Sequence, residues 1–128
     1  SLVGRDVIVP GDRLTANDAG LVQGGFELNS PADSVQIEIL NAGGHVIDSI
    51  DLGAEGSGRH GFEWTPRQGV DASLGERFRI VARSGAAALP ATPLMRDRVD
   101  AVATGGDTLT LELRYSGSVA YSQIKAFN

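Results

Sequence analysis

Short runs in which apolar and polar residues alternate are the main pattern in this chain. Val35, Ile37 and Ile39 alternate with polar neighbours, and Phe78 and Ile80 repeat the pattern later in the sequence. A period of two is typical of β-strands that bury one face. No long window shows the helical repeat of apolar positions without a glycine or proline break. The pattern therefore predicts an all-β fold built from antiparallel strands.

The clearest predicted strand runs from Leu109 to Tyr115. Within it, Leu109, Leu111, Leu113 and Tyr115 share the face that we expect to be buried, and polar residues occupy the other face. Glycine-containing turns flank the segment on both sides. The alternating residues 99–104 are expected to be its hairpin partner.

One carboxylate conflicts with the alternation. Asp48 shares the parity of Val46, Ile50 and Leu52, so a regular strand would direct its side chain inward. A β-bulge near Asp48 or an edge position of the strand would resolve the conflict. The sequence does not choose between these two solutions.

Composition suggests where the chain divides. Residues 84–93 are small and proline-punctuated, which is typical of a linker, and residues 23–25 form a shorter break. The N-terminal arm is too short to bury a core, because an isolated hairpin is marginal in water. We therefore expect residues 1–24 and 91–128 to form one small barrel, with residues 25–90 inserted as a sandwich.

Charge limits the classes of partner. The 128 residues carry a net charge of −5, and residues 25–90 hold five Arg against nine Asp or Glu. Binding to phosphate backbones requires clustered Lys and Arg, whereas this chain has a single lysine, Lys125. We expect no nucleic-acid partner.

Cysteine and long apolar segments are both absent. Without cysteine there is no disulfide framework and no thiolate metal site. No apolar run approaches the roughly 20 residues that cross a bilayer, so membrane insertion is not expected. The chain starts at Ser1, and Leu2-Val3 already has strand character. We interpret it as a fragment of a longer protein, the alternative being a native start after methionine removal.

The middle of the chain carries a framework of apolar strands, glycine turns and the only tryptophan. Its residues are Val35, Ile37, Ile39, Gly44, Val46, Gly58, Phe62, Trp64, Gly75 and Phe78. This framework resembles the immunoglobulin/fibronectin type III-like domain of the flagellar hook-capping proteins (hook-assembly scaffolds, or basal-body rod modification proteins). Thr65-Pro66 departs from the acidic or amide residue and glycine that usually follow the tryptophan in that family.

The two ends of the chain extend the resemblance. Val3-Gly4-Arg5 with Val7 is similar to the strand that opens the family's C-terminal region, and residues 117–124 are similar to its ending. In the family these ends form a small Tudor-like (SH3-like) barrel. The resemblance implies an immunoglobulin/fibronectin type III-like sandwich inserted into a small split Tudor-like barrel. The family's N-terminal region has no counterpart here, which fits the interpretation as a fragment.

The resemblance also implies a function. Such proteins are non-enzymatic scaffolds that are exported through the flagellar secretion apparatus and cap the distal end of the growing hook. Their partners are hook subunits and other copies of themselves, and no cofactor is involved. The alternative hypothesis is a fibronectin-like binding module of an extracellular bacterial enzyme or adhesin. That module would have an independent N-terminal strand and an exposed aromatic strip, whereas the hook-cap hypothesis requires residues 1–24 and 94–128 to share one sheet.

Residue types that often carry chemistry do not form a catalytic or metal-binding pattern. A metal site needs several converging ligands, and His45 and His60 are interpreted as exposed turn residues. The pairs Asp48/Asp51 and Asp97/Asp100 are interpreted as solvated strand faces, since nothing specifies a cleft between them. The serines Ser116, Ser118 and Ser122 lack the strand–turn–helix setting of an activated nucleophile, and the glycine-rich residues 53–58 lack the lysine of a phosphate loop. We expect no catalytic, cofactor-binding or metal-binding residues.

Aromatic residues are expected to serve packing. Trp64 is interpreted as a core residue of the sandwich rather than a binding platform. Capture of a methylated lysine would need an aromatic cage. The barrel segments offer only Tyr115, Tyr121 and Phe127, and strand parity directs Tyr115 inward. We therefore expect no cage.

One stretch, residues 94–98, combines apolar and cationic side chains in a mixture that is enriched at protein interfaces. It contains the adaptable Met95 and the two arginines Arg96 and Arg98. These three residues are the candidate protein contacts. The alternative interpretation is the beginning of a strand with a solvated charge pair.

Overall fold

The computed structural model describes all residues, 1–128, and contains strands, turns and two short 3₁₀ helices, Ala72–Leu74 and Tyr121–Gln123. The prediction of an all-β fold is confirmed. None of the helical segments has the length and hydrophobicity of a transmembrane helix. The twelve strands are β1 (Asp6–Pro10), β2 (Thr15–Ala16), β3 (Val22–Leu28), β4 (Ala32–Leu40), β5 (Val46–Glu55), β6 (Gly58–Trp64), β7 (Arg77–Ser84), β8 (Ala87–Leu89), β9 (Ala91–Gly105), β10 (Thr108–Leu113), β11 (Gly117–Ala120) and β12 (Ala126–Phe127).

The strands form two sheets, and every pairing is antiparallel. The smaller sheet has the order β5-β4-β7-β8. The larger one has the path β11-β10-β9-β1-β12, and β3 joins it by pairing with β9, β6 and β2. Because β1 lies between β9 and β12, the two ends of the chain meet in one sheet.

Two hydrophobic cores lie on this framework. The first contains side chains from β3, β4, β6 and β7, so the smaller sheet packs on β3 and β6 as in an immunoglobulin-like sandwich. The second contains side chains from β1, β9 and β10. The first core consists of Phe26, Leu28, Ala32, Val35, Ile37, Ile39, Phe62, Trp64, Phe78 and Ala82, and the second of Val7, Val9, Met95, Val99, Leu111 and Leu113. The boundaries at residues 24/25 and 90/91 stay a prediction.

The segment interpreted as a linker, residues 84–93, is mostly strand. A turn at Gly85 returns the chain from β7 into β8, where Ala82 pairs with Leu89, and β9 begins at Ala91 after Pro90 alone. Gly85 has a φ of 58°, which glycine adopts without steric cost and which a tight turn of this kind requires. The linker interpretation was wrong because small residues at an edge hairpin have the same composition as a flexible connection.

Strand parity predicted that Tyr115 points into the barrel, and this prediction was wrong. β10 ends at Leu113, and Tyr115 lies in the following turn with 47% of its surface exposed. The Arg13 guanidinium covers its ring at 5.0 Å. Leu111 and Leu113 are buried as expected, and β9 is the predicted hairpin partner.

The side chain of Asp48 points inward, even though the strand has both the edge position and the bulge that were expected to keep it exposed. β5 is an edge strand, and its pairing with β4 shifts register between Ile39 and Leu40, beside Asp48. Its carboxylate is only 5% exposed and accepts hydrogen bonds from Trp64 Nε1 at 2.9 Å, Arg67 N at 3.1 Å and Ser49 N at 2.8 Å. The Arg67 guanidinium lies 3.6 Å away. The buried charge is therefore fully partnered.

The environment of Asp48 stabilises its ionised form. Burial opposes ionisation, but the hydrogen bonds from Trp64, Arg67 and Ser49, together with the Arg67 charge, outweigh it and lower the pKa of Asp48. Trp64 is 2% exposed, so its interpretation as a core residue is confirmed. Gly75 packs on the Trp64 ring so closely that a side chain there would collide with it.

Replacing Asp48 by Asn is expected to destabilise the chain by about 1–3 kcal/mol at pH 7, because the amide NH₂ would face buried donors. Urea unfolding followed by Trp64 fluorescence measures the change. Asp51→Asn, on the exposed face of the same strand, is the matched control and is expected to cost less than about 0.5 kcal/mol.

The effect of Asp48→Asn is also expected to depend on pH. Because the pKa of Asp48 is lower in the folded chain than in the unfolded chain, its contribution is complete above the unfolded value of about 3.9. It is lost as the pH falls through the folded-state pKa. The stability difference between wild type and Asp48→Asn should therefore shrink below about pH 4, and a difference that stays constant down to acid pH would contradict this account.

Candidate protein-contact site at the junction of the two cores

Residues 94–98 lie in the middle of β9, where the strand passes from one core to the other. Ala91 to Leu94 pair with β3, whereas Leu94 to Arg98 pair with β1. This segment is therefore a continuous strand, and its side chains lie between the two cores. The neighbouring residues Leu94 and Met95 are both buried, so both faces of β9 are covered at this point.

The structure places the three candidate contact residues differently. Met95 is 5% exposed and packs in the second core, where its sulfur fills the space that a side chain on Gly11 would need. Arg96 and Arg98 are partly exposed. Met95 therefore supports the site from inside, while contact of Arg96 and Arg98 with a partner stays a prediction.

Arg98 is held by carboxylates of the same chain. Its guanidinium lies 3.0 Å from Asp6 and 3.3 Å from Asp18. The hydrogen bond to Asp6 and the two negative charges raise the pKa of Arg98 above its already high ordinary value. Arg98 is thus a permanent cation whose charge is largely compensated.

Arg96 has no carboxylate within salt-bridge distance. Its side chain faces the amide of Asn128, which accepts from the guanidinium when its oxygen is turned toward it. Its carbonyl oxygen accepts a hydrogen bond from Thr15 Oγ1 at 3.0 Å, which fixes this point of β9. Arg96 is therefore a cation that has a neutral partner, Asn128, and no carboxylate partner within the chain.

A groove of about 700 Å³ opens beside Arg96, and we call it the junction groove. Ile8, Leu94 and Arg96 line it from β1 and β9, and β3 and β6 line it with Gly25 and Gly61 among their residues. At Gly25 a Cβ atom would lie 2.8 Å from the His60 carbonyl oxygen, so only glycine fits. The groove is large enough to receive a segment of a partner protein.

Ion pairs around Glu27 connect different parts of the chain beside the junction. Its carboxylate lies 3.7 Å from both Arg59 and Lys125, and Arg59 Nη1 donates to the Lys125 carbonyl at 2.7 Å. These contacts connect the C-terminal segment to β3 and β6. The chain has a further connection where Phe78 N donates to the Asp12 carbonyl at 3.0 Å.

Asp97, interpreted from sequence as a solvated residue, is buried and 2% exposed. Its carboxylate accepts from the backbone N–H groups of Arg98 at 2.8 Å, Tyr115 at 3.0 Å and Ser116 at 2.9 Å. It therefore holds the turn after β10 against β9. Asp97 shares the parity of the buried Met95 and Val99, and that alternation in the sequence could have predicted that its side chain is buried.

Of the two histidines, only His60 lies at this site, because it lines the junction groove. His45 is an exposed turn residue as expected. His60, in contrast, is within β6, where it stacks on Phe26 at 5.2 Å and faces Glu55 at 3.2 Å. No group of three or more His, Asp or Glu side chains is arranged to hold a metal ion.

Two of the three aromatic residues of the barrel segments, Tyr121 and Phe127, lie next to each other. The rings of Tyr121 and Phe127 lie 5.6 Å apart, and Arg5 covers Phe127 at 5.6 Å. Tyr115 instead pairs with Arg13. The three aromatic rings are each engaged within the chain by one of these contacts.

Comparison with known proteins places this architecture in a family. Residues 11–85 match the family model described as the FlgD Ig-like domain, which is more than half of the chain. The chain belongs to the FlgD family. The membership and the structural likeness below confirm the resemblance to hook-capping proteins and the predicted fold class.

Two curated FlgD relatives show similar identity. The chain is 30% identical to the basal-body rod modification protein FlgD of Salmonella typhimurium (strain LT2) over 135 residues, which covers 98% of the chain and 58% of that protein. The Escherichia coli K12 protein of the same name is 31% identical with the same coverage. The chain therefore spans 58% of the length of these relatives.

Solved FlgD structures share the whole fold. The structure of FlgD from Pseudomonas aeruginosa has a TM-score of 0.77 and 27% identity, covering 100% of this chain and 98% of that one. FlgD from Xanthomonas campestris has a TM-score of 0.71 and 24% identity, with 99% and 94% covered. The second likeness supports the fold alone.

Replacing Asp97 by Ala is expected to destabilise the chain by about 2–4 kcal/mol, because three backbone donors would lose their acceptor inside the protein. Urea unfolding measures the loss, and the amides of Tyr115 and Ser116 should exchange with solvent faster. Asp100→Ala is the matched control, since Asp100 is exposed and its one ion pair, with Arg114 at 3.5 Å, is also exposed. An equal effect of both substitutions would contradict the assigned role.

Proposed function

We propose that the chain is part of a non-enzymatic scaffold that caps the growing bacterial flagellar hook and promotes polymerisation of hook subunits. The observation that carries this proposal is membership of the FlgD family across nearly the whole chain. It is supported by the Xanthomonas campestris FlgD of the same fold, whose structure is described as giving insight into the hook capping essential for flagellar assembly.

The proposed work is reversible contact rather than covalent chemistry. A cap must hold incoming subunits long enough to order them and then release them, which favours interfaces of moderate size with shape-matched grooves. The junction groove and the guanidinium of Arg96, which has no carboxylate partner within the chain, provide such a surface. We propose that Arg96, with Arg98 at the margin and Met95 supporting it, contacts a carboxylate-bearing segment of a partner.

The place of action follows from the same proposal. The protein would leave the cell through the flagellar secretion apparatus and act at the distal end of the hook. Its partners would be hook subunits and other copies of itself. The alternative of a fibronectin-like module is less well supported, because β1 shares a sheet with β9 and β12 instead of standing alone.

Deleting the full-length gene is expected to stop hook growth, because hook subunits would reach the tip without being retained there. The measurements are electron microscopy of basal bodies and the amount of hook subunit in the culture medium. We expect rods without hooks and a rise in secreted subunits, both restored by the wild-type gene. Hooks of normal length in the deletion strain would reject the proposed function.

Reversing the charge of Arg96 in the full-length protein (Arg96→Glu) is expected to reduce swimming severalfold. The introduced carboxylate would repel the carboxylate of the partner, and like charges that face each other at an interface are costly. Swimming in soft agar and the number of hooks per cell measure the effect. Arg83→Glu, an exposed arginine of β7, is the matched control. Urea unfolding of both variants separates lost contact from lost folding, and wild-type motility of a folded Arg96→Glu variant would contradict the contact.

A further inference from the structure

Three glycines line the junction groove from the neighbouring strands β3 and β6, and packing requires two of them. A Cβ atom on Gly24 would lie 2.6 Å from the Phe62 ring, and one on Gly25 would lie 2.8 Å from the His60 carbonyl oxygen. Gly61 is different, because a Cβ atom there would meet only the Gly24 carbonyl oxygen, at an ordinary contact distance of 3.9 Å. The fold therefore has room for a side chain at Gly61.

The backbone does not require glycine at Gly61 either. This residue lies inside β6, where it pairs with Gly25 of β3, and its φ is outside the left-handed region that favours glycine. A glycine inside a strand lowers stability, because a flexible residue is ordered and no side chain packs. Such a glycine often marks a place where a ligand or another backbone approaches closely. The space above Gly61 thus keeps the groove open at some loss of strand stability.

The lining of the groove combines apolar surface with a cation that lacks a carboxylate partner. Ile8 and Leu52 are apolar, partly exposed residues of the lining. Arg96 also lines the groove, and its partner within the chain is the neutral amide of Asn128. Binding sites of this kind hold a ligand by apolar contact and orient it by a few polar groups. A ligand that matches this lining has an apolar part and an anionic part.

The other charged groups of the lining have partners or lie in water. Arg59 faces Glu27 at 3.7 Å, and His60 faces a carboxylate of β5 at 3.2 Å. Glu63 is exposed on β6, which is the outer strand of its sheet, so water solvates its carboxylate. Arg96 is only partly exposed, and a charge contact gains strength where less water screens it. Arg96 is therefore the group that selects the sign of the ligand's charge.

One ligand can reach both positions. Gly61 pairs with Gly25, and Gly25 pairs with Leu94 of β9 on its other side. Two strand spacings, and the step of two residues from Leu94 to Arg96, separate the backbones of Gly61 and Arg96 by about 12 Å. An extended segment covers this distance in about three or four residues, at about 3.3 Å per residue. The groove thus suits a short extended segment that lies across the strands.

We propose that the space above Gly61 receives an apolar side chain of the partner, while Arg96 binds a carboxylate on the same extended segment of that partner. This inference rests on the proposed function and deepens it, because it names the two features by which the partner is recognised. In that function the segment belongs to the hook subunit, which the cap must hold and release. A single apolar anchor beside one charge contact gives weak binding, which suits repeated release.

The first test uses 4-phenylbutyrate, which has an apolar ring and a carboxylate, with its uncharged amide as the matched probe. NMR titration of the isotope-labelled chain should give saturable shifts at Gly25, Gly61 and Arg96, with a dissociation constant on the order of 1–10 mM. Arg96→Gln should weaken binding of 4-phenylbutyrate at least about fivefold and leave binding of the amide unchanged. Equal affinity of both probes for wild type, or no saturable binding, would overturn the proposal.

The second test fills the space above Gly61 and separates contact from folding. Gly61→Val should weaken binding of 4-phenylbutyrate at least about tenfold, while the urea midpoint should be no lower than that of wild type, because valine favours strands. Gly105→Val is the matched control, since Gly105 also lies in a strand with room for a side chain but does not line the groove. It should bind the probe as wild type does. A folded Gly61→Val variant with unchanged binding would overturn the proposal.

The same variants in the full-length protein connect the groove to the partner. Gly61→Val should reduce swimming in soft agar severalfold, and Gly105→Val should not. Normal swimming of a Gly61→Val strain would overturn the assignment of the groove to the hook subunit, as would a wild-type dimer in sedimentation that Gly61→Val abolishes. Neither result touches the hook-cap proposal. Normal hooks in the deletion strain would reject the hook cap and leave binding of 4-phenylbutyrate standing.

Discussion

The strand β9 connects the two hydrophobic cores: Met95 and Val99 belong to the second core, and Ala91 at its start packs against the first. Its first residues pair with β3 beside the first core, its middle pairs with β1, and its end pairs with β10. Leu94 and Met95 are adjacent in sequence and both buried, which an ordinary strand with one solvent face does not allow. A strand shared in this way leaves little freedom between the cores, and the contacts of Glu27 and Asp12 restrict it further.

Two buried aspartates solve the same problem in different places. Asp48 and Asp97 each accept the N–H of the next residue, and each also accepts backbone N–H groups from a turn 18 or 19 residues further along. A loop that must lie against a sheet has N–H donors with no ladder partner, and burying these donors unpaired would cost more than burying a carboxylate that accepts several of them. Each of the two carboxylates thus supplies the acceptors that several backbone N–H groups of a loop would otherwise lack.

Much of the fold was accessible from the sequence, because alternation and glycine turns report directly on strands with one buried face. The strands around Ile37, Phe78 and Leu111, the β9–β10 hairpin and the core position of Trp64 follow from that pattern. The segment before β9 did not, because small residues serve an edge hairpin as well as a linker. Tyr115 was misplaced because a turn ends β10 two residues earlier than the alternation suggests.

The junction site was only partly predictable. Residues 94–98 were identified from composition, yet composition does not tell which of them faces a core, and Met95 and Asp97 are both buried. Parity within β9 carries that information: Met95, Asp97 and Val99 alternate, and all three are interior. The groove itself had no sequence signal, because it arises where β3 and β9 separate, and such a separation depends on pairing between residues about 70 positions apart.

The features that prevent a strand edge from pairing with another strand are present on some edges of this chain and absent from others. Charges on β5 and β6 and the shortness of β8 block edges that surround a core, where unwanted pairing would compete with folding. Between Asp100 and Gly105, in contrast, β9 adds no buried residue to either core. The base of the β9–β10 hairpin is anchored in the second core by Val99, Leu111 and Leu113. Its outer end is held only by its own ladder, which is the marginal situation of an isolated hairpin in water.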